Sequence, residues 1–474
     1  MRYETVIGLE VHCELCTQSK IYCSCSTRFG AEENTQVCPI CSGMPGMLPV
    51  QNIAVVEAGM LVGLATGGAI PRVMRSERKH YFYPDLPKGF QTSQSEMPVS
   101  VGGFVAIDTP EGEKRVRLHH IHFEEDAGKL IHDPMLGTLV DLNRCGVPLL
   151  EIVSEPDMRS PEEARDFVEA LREILLFLGV SDCRMEQGSL RCDVNVSVRP
   201  IGQAEYGERT EMKNINSLRS VYRAVEFESK RQIALLEKGE TIRRDTLRWD
   251  DARGVAYAMR SKEGANDYLY FPEPDLPFIV TDDAWVGRIR ERLVELPRAR
   301  RNRYASEYGL SEYDASLMCA TPHTAALFEG TIAAGAQAKV AANFIMSDAS
   351  RIRNERALEE IPFDSRALYA LIRLVEDGTI SRSAASKVME LMFDDPDASP
   401  AKLASEHGLG QISDEGAVRE LCVAAVANGE KAVADYKKGN VKALTSLVGQ
   451  VMKASRGKAN PALVNKILLE LLGG

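Results

Sequence analysis

A chain of 474 residues, 44% hydrophobic and 26% charged, has the apolar material for sizeable cores, and its length suits two to four domains. Its formal net charge of -11 excludes a basic coat for nucleic acid over the whole surface, and no stretch approaches the length needed to cross a bilayer, so no membrane is expected. The chain runs from Met1 into Arg2-Tyr3-Glu4-Thr5-Val6-Ile7 without a cleavable apolar segment, which points to the cytoplasm, where eleven cysteines stay reduced.

The first predicted strand carries Glu10 and His12 two residues apart, so both side chains face one side of a sheet while Val11 packs on the other. Cys13 then faces away from His12 as a small core residue, and Cys16 is a spare ligand or none. Cys23-x-Cys25 and, after twelve intervening residues, Cys38-Pro39-Ile40-Cys41 set paired thiolates on two tight turns. Four sulfurs so placed match the tetrahedron of a structural zinc, although one arm is C-x-C and not a second C-x-x-C. A helix is predicted over Ala54 to Thr66. The aromatic run Tyr81-Phe82-Tyr83-Pro84-Asp85-Leu86-Pro87 has an echo in Tyr268-Leu269-Tyr270-Phe271-Pro272, read either as two similar edges or as coincidence.

Further along, His122-Phe123-Glu124-Glu125-Asp126-Ala127-Gly128-Lys129 and Glu151, after Val147-Pro148-Leu149-Leu150, add acids to apolar strands. Ser160, Pro161 and Glu163 form a capping box that opens a helix to Val180. Asp193 with Asn195, and Glu211 with Lys213, repeat the two-residue spacing. A helix from about Ser217 to Lys238, stopped by Gly239, would point its positive end into the acidic face, where a phosphate could sit. Phe271-Pro272-Glu273-Pro274-Asp275-Leu276-Pro277 suits neither a helix nor a central strand and closes this region.

The expected domains are therefore a mixed α+β domain over 1–290, a helical domain over 291–405 and a last helical segment over 406–474, with Asn440 and Asn460-Pro461 as helix starts. From Lys431 to Gly474 eight basic residues stand against Asp435 and Glu470, a local +6 that leaves -17 for the rest and suits nucleic-acid phosphate contacts.

A lone Glu-Val-His on a strand is usually a solvated sheet face. If these strands are neighbours, so many acids on one surface cost several kcal/mol per unpaired charge unless cations neutralise them. The profile is that of a metal-dependent site for a highly anionic ligand, a nucleoside triphosphate. Lys129, Arg191 and Lys213 fit phosphoryl transfer by positioning and charge neutralisation. No G-x-x-x-x-G-K-[ST] loop or G-x-G-x-x-G turn is present, so any nucleotide is held otherwise. Nor is there a G-x-S-x-G elbow or a Ser- and Gly-rich stretch suited to amide hydrolysis.

Read together, Ile7-Gly8-Leu9-Glu10-Val11-His12, Tyr81 to Gly89, His122 to Lys129, Asp141 to Glu151, Asp193-Val194-Asn195-Val196-Ser197 and Glu211 to Ser217 resemble the GatB family of tRNA-dependent amidotransferases over essentially the whole chain. The resemblance implies a glutamine-synthetase-like cradle domain, an all-α helical domain and a small all-α tail like that of YqeY proteins. It implies a heterotrimer with an amidase subunit (GatA) and a small subunit (GatC). That complex uses ATP to phosphorylate the side-chain carboxylate of misacylated Asp-tRNA(Asn), Glu-tRNA(Gln) or both, and then delivers ammonia to it. Mapped by motif, Glu10, His12, Glu125 and Glu151 form a first magnesium shell, with His12 hinting at manganese, and Glu124, Asp193 and Glu211 a second. Lys213 and Lys79 would contact phosphate or the acyl end, beside Tyr81, Lys129, Arg191 and Asn195. Many members lack the four cysteines, so zinc is a subgroup trait. Two other readings stay open: a non-catalytic zinc-bearing tRNA-binding protein, separated by ATP turnover dependent on Glu151, and a free-standing carboxylate kinase, which would not need the basic tail.

Overall fold

The computed structural model describes residues 2–261, 268–412, 414–437, 440, 442–455 and 457–473. The chain forms two compact units, Met1–Pro297 and Arg298–Gly474. A sheet-bearing first unit and a helical second unit agree with the α+β expectation.

In the first unit β1 (Tyr3–Glu14) is followed by helix α1 (Ile53–Ala65) and the short strands β2 (Val73–Met74), β3 (Glu77–His80), β4 (Phe90–Ser93) and β5 (Ser100–Val101). Next come β6 (Phe104–Thr109), β7 (Gly112–Glu125), the hairpin β8 (Lys129–Asp133) and β9 (Gly137–Asp141), and β10 (Pro148–Ser154). Helix α2 (Pro161–Phe177) leads to β11 (Leu190–Pro200) and β12 (Thr210–Ile215). Helix α3 (Leu218–Glu237) leads to β13 (Asp245–Asp250), β14 (Val255–Ser261), β15 (Leu269–Pro272), β16 (Ile279–Val280) and α4 (Asp283–Arg290).

The main sheet runs β14-β13-β12-β11-β1-β10-β7-β5, with β6 also on β7, and every pairing is antiparallel except β12 with β13. β1 is central because its alternation offers a fully apolar face. Ile7, Leu9, Val11 and Cys13 are buried in one core with Leu150, Ile152, Val194 and Val196 of the flanking strands and with residues of α1, α2 and α3. That places the helices on one face and leaves Glu10 and His12 to the other.

The helix N-caps form as expected, except that the Glu163 carboxylate accepts from Arg159 N at 2.6 Å, one residue before the N-cap that a capping box would use. Ser160 Oγ accepts from Glu163 N at 3.2 Å, and Ser217 Oγ accepts from Ser220 N at 3.0 Å. Helix α3 ends two residues before Gly239, whose φ of 75° is the left-handed geometry of a helix stop. At the first turn of α3 the Ser220 hydroxyl lies 2.7 Å from Ser217 Oγ and donates to Asp251 Oδ1 at 2.9 Å.

The two aromatic runs meet: β15 pairs with β3, and the rings of Tyr81 and Tyr268 lie 5.4 Å apart.

In the second unit, helices surround two separate apolar cores. One gathers residues from Tyr304 to Ala404 and the other residues from Val418 to Leu472. Asn460 caps Pro461–Leu472, accepting from Ala462 N and Leu463 N, and Asn440 accepts from Lys442 N ahead of Ala443–Ala454. Of the basic residues counted in this segment, Lys438 and Arg456 lie outside the described residues.

Candidate active site on the polar face of the central sheet

Register decides which of the paired residues meet. Across β1 and β10, His12 faces Glu151, and across β10 and β7, Glu151 faces His122. Across β1 and β11, Glu10 faces Asp193 and His12 faces Arg191, while Asn195 faces Glu211 on β12. Adjacent strands thus merge the separate sequence pairs into one polar face.

Two groups form on it. Ligand atoms of His12, Glu124 and Glu151 lie within 4.8 Å of one another, as do those of Glu10, Asp193 and Glu211. In the first, His12 Nε2 is 3.4 Å from Glu151 and 3.6 Å from Glu124. His122 Nε2 joins it, 3.2 Å from Glu151 and 3.8 Å from Glu124. Burial works against a charged imidazole, yet Glu151 and Glu124 outweigh it and push His12 and His122 up to about 9. Burial likewise opposes the Glu151 carboxylate, but the two imidazoles hold it well below its ordinary value. His120, whose Nε2 is 3.0 Å from His122 Nδ1, is pulled down to about 4 by burial and by that neighbour.

In the second group Glu10 is raised by burial and by the nearby Glu151 charge. It accepts from Asn195 Nδ2 at 2.9 Å. Lys213 Nζ lies 2.6 Å from Asp193 and 2.9 Å from Glu211. Burial opposes its charge, but the two carboxylates raise it above the usual lysine value. Asn195 Oδ1 is buried without a partner among the described residues. Asn195 borders a cavity of about 240 Å³ lined also by Gly8, Glu10, Ser154, Tyr206 and Arg209.

The carboxylates therefore divide differently from the motif-based shells. Glu10 groups with Asp193 and Glu211, Glu124 joins His12, and Glu125 reaches neither group. The reason is alternation: Glu124 shares the face of His122, so its neighbour Glu125 points the other way. Glu125 is ion-paired with Lys88, accepts from Thr92 N at 2.7 Å, and borders a second cavity of about 220 Å³.

Lys79 sits on β3 with its Nζ 4.8 Å from the Tyr268 ring centre and 6.0 Å from that of Tyr81. Burial opposes its charge, but Glu124 raises it above the usual lysine value. Tyr81 donates to Gln91 Oε1 at 3.4 Å. Arg191 is engaged with Asp126 Oδ2 at 2.6 Å, and Lys129 is exposed in the β8–β9 hairpin. Sequence reading missed His122 as a member of the first group and Lys88 as the partner of Glu125. The two-residue spacing of His122 and Glu124 carried the first signal; Lys88 lies in a loop, where no periodicity points to its partner.

The four cysteine sulfurs of Cys23, Cys25, Cys38 and Cys41 also lie within 4.8 Å of one another. A hydrogen bond from Cys23 pulls the Cys41 thiol down and pushes Cys23 up. Four convergent sulfurs suit a borderline-soft ion such as zinc and leave no position open for substrate. Cys16 is exposed and outside the group, and Cys13 is buried in the core.

The GatB/GatE catalytic domain family matches residues 5–287, and the GatB domain family matches residues 326–472. The chain is 52% identical over its full length to the B subunit of the aspartyl/glutamyl-tRNA(Asn/Gln) amidotransferase of Caldicellulosiruptor saccharolyticus, 99% of which is covered. It is 49% identical to the protein of that name from Thermoanaerobacter pseudethanolicus and 50% to that from Moorella thermoacetica, each alignment covering 100% of both chains. Among the described residues, no helix is long and apolar enough to cross a membrane.

Proposed function

The chain belongs to the GatB/GatE family, and we propose that it is the amidating subunit of a tRNA-dependent amidotransferase whose first unit activates a carboxylate with ATP. The observation that carries this reading is the pair of acidic groups on one sheet face, flanked by Lys79 and Lys213. The chemistry requires such a site. A carboxylate resists attack by ammonia because an oxide would have to leave. Transfer of the ATP γ-phosphoryl group to the Asp or Glu side chain of misacylated tRNA supplies phosphate as leaving group, and ammonia then displaces it.

His12, Glu124 and Glu151 would hold one divalent cation and Glu10, Asp193 and Glu211 another. The donor sets fit: oxygen-rich groups suit magnesium, and His12 makes the first also suitable for manganese. Bound there, cations would screen the converging anions and polarise the phosphoryl oxygens. Lys213, shared between Asp193 and Glu211, is placed to turn from its carboxylates to an incoming phosphate. Asn195 would orient Glu10 through one side-chain atom and offer its unpartnered oxygen to a donor on the nucleoside, in the cavity beside Gly8 and Tyr206. Lys79, in its aromatic surround, would neutralise the acyl end, and Arg191 would orient the face from its pairing with Asp126.

Ammonia would come from an amidase subunit (GatA), with a small subunit (GatC) completing a heterotrimer. The first unit would be a cradle of glutamine-synthetase-like fold carrying a structural zinc at Cys23, Cys25, Cys38 and Cys41. The second unit, with a YqeY-like end, would bind misacylated tRNA. The decisive experiment follows ATP consumption by the complex with mischarged tRNA and no ammonia source. Phosphate release that needs the mischarged tRNA and disappears in Glu151→Gln is expected. Release unaffected by that substitution would favour a non-catalytic, tRNA-binding role.

A further inference from the structure

Lys20 follows β1 and precedes the first cysteine pair, yet its side chain is 1% exposed, among the largest fully buried side chains in the chain. Its Nζ donates to the Gln36 carbonyl at 2.8 Å, with the Leu142 carbonyl at 3.5 Å and Cys41 Sγ at 3.7 Å. Its own backbone N–H donates to the Cys25 carbonyl at 2.9 Å. One residue therefore joins both arms of the cysteine group: the first through its main chain, the second through Gln36 and Cys41.

The carbonyls satisfy protons but not charge. Among the described residues Lys20 has no carboxylate partner within ion-pair distance, and an ammonium taken from water without a counter-charge costs several kcal/mol. Four neutral thiols supply no counter-charge. Four thiolates around one divalent ion carry a net charge of about -2, which a buried cation beside one sulfur partly offsets.

We propose that Lys20 is the built-in counter-charge of a tetrathiolate metal centre at Cys23, Cys25, Cys38 and Cys41, holding Cys41 in place as a ligand through an N–H···S hydrogen bond and raising the affinity for zinc. The proposal rests on the zinc reading above and adds to it the residue that tunes the centre. An ammonium has no lone pair for a metal, so Lys20 acts through the sulfur as a positioning residue. It fits no other duty in its surroundings: its three acceptors are the two carbonyls and the sulfur.

The test uses the full-length protein, with zinc content from native mass spectrometry, affinity from competition with a chromophoric chelator, and the sulfur-to-metal charge-transfer band after cobalt substitution. One zinc per wild-type chain is expected. Lys20→Met should weaken zinc binding by about 10- to 100-fold, the usual effect of losing a partner behind a metal ligand, and should shift the cobalt band. Lys20→Arg should stay within a few-fold of wild type, since the adjoining cavity of about 220 Å³ leaves room for the larger cation. If the methionine variant does not fold, Lys20→Gln keeps a donor for the Gln36 carbonyl but no charge. Affinity in the Gln or Met variant equal to that of the Arg variant overturns the role of Lys20 and leaves the centre standing. A wild-type chain that takes up neither zinc nor cobalt overturns the zinc reading itself.

Discussion

Glu151 lies directly across the antiparallel pairing of β1 and β10 from His12, with its Oε2 3.4 Å from His12 Nε2. With His122 3.2 Å away on the other side, one buried carboxylate is shared by two imidazoles. In cation-free protein the imidazole protons stand in for the positive charge that the face requires.

A pH dependence of stability follows. Burial opposes both imidazolium ions, but Glu151 raises His12 and His122 from 6.5 to about 9 in the fold. Their contribution is therefore fully present below pH 6.5 and lost as the pH rises through 9. Glu14, raised by burial from 4.5 to about 8, acts in the same direction but lower, so the loss above pH 8 belongs to the imidazoles. Chelator-treated protein should melt progressively lower from pH 6.5 to 9, and saturating magnesium or manganese should flatten that slope. A level cation-free Tm over this range would show that the carboxylates do not hold these protons.

Glu124, which shares a group with Glu151 of β10, should separate in its effects from its β7 neighbour Glu125. Glu151→Gln and Glu124→Gln should leave the fold intact and lower ATP-dependent amidation by at least roughly a hundredfold, the scale of losing one charge stabiliser. Glu125→Gln should show in stability, because it leaves half-buried Lys88 without the carboxylate it is paired with. A loss of roughly 1–3 kcal/mol in urea unfolding is expected. Near-normal turnover in purified Glu151→Gln or Glu124→Gln would remove that residue from the catalytic group.

What the sequence discloses here is what is local. The spacing of Glu10 with His12 and of Asp193 with Asn195 assigns each pair to one face, and Ser160 and Ser217 mark helix starts, because strand alternation and capping act over a few residues. Which strands adjoin is a matter of pairings far apart in the chain, such as His12 with Glu151 and Gly8 with Asn195, and no spacing encodes them. The division of Glu124 from Glu125 was available from alternation once anchored on His122. The Lys88–Glu125 and Lys20–Cys41 contacts were not, since both lysines sit in irregular loops whose course is set by tertiary packing. Tyr81 and Tyr268, though far apart in the chain, meet beside the β3–β15 pairing, a contact that no local spacing encodes.

The basic end of the second unit is expected to contact tRNA phosphates. Lys431, Lys442, Lys453, Lys458 and Lys466 are the lysines to test there. Removing the segment would strip Leu447, Val451, Val464, Ile467 and Leu468 from the core they share with Val418 and Cys422, so substitution is the cleaner test. Changing the five lysines to glutamine should weaken tRNA binding, reduce the log-log salt slope by roughly two to three, and spare ATP binding. An unchanged slope would make this a solvated helical surface.

The last expectation concerns the division of labour. The sequence holds no recognisable nucleophile constellation for amide hydrolysis, whereas the sheet face carries the charges an acyl phosphate demands. The chain alone should therefore show no glutaminase activity and at most weak ATP turnover, and an amidase partner should confer the use of glutamine. Activation and capture are separable steps, so free ammonia needs only the phosphorylated carboxylate. A complex whose amidase nucleophile has been mutated should then still amidate mischarged tRNA when supplied with ATP and a high concentration of ammonium. The bypass should vanish in Glu151→Gln, because ammonia cannot replace the activation step. Amidation that still required the glutaminase nucleophile, or that proceeded without ATP, would place carboxylate activation outside this chain.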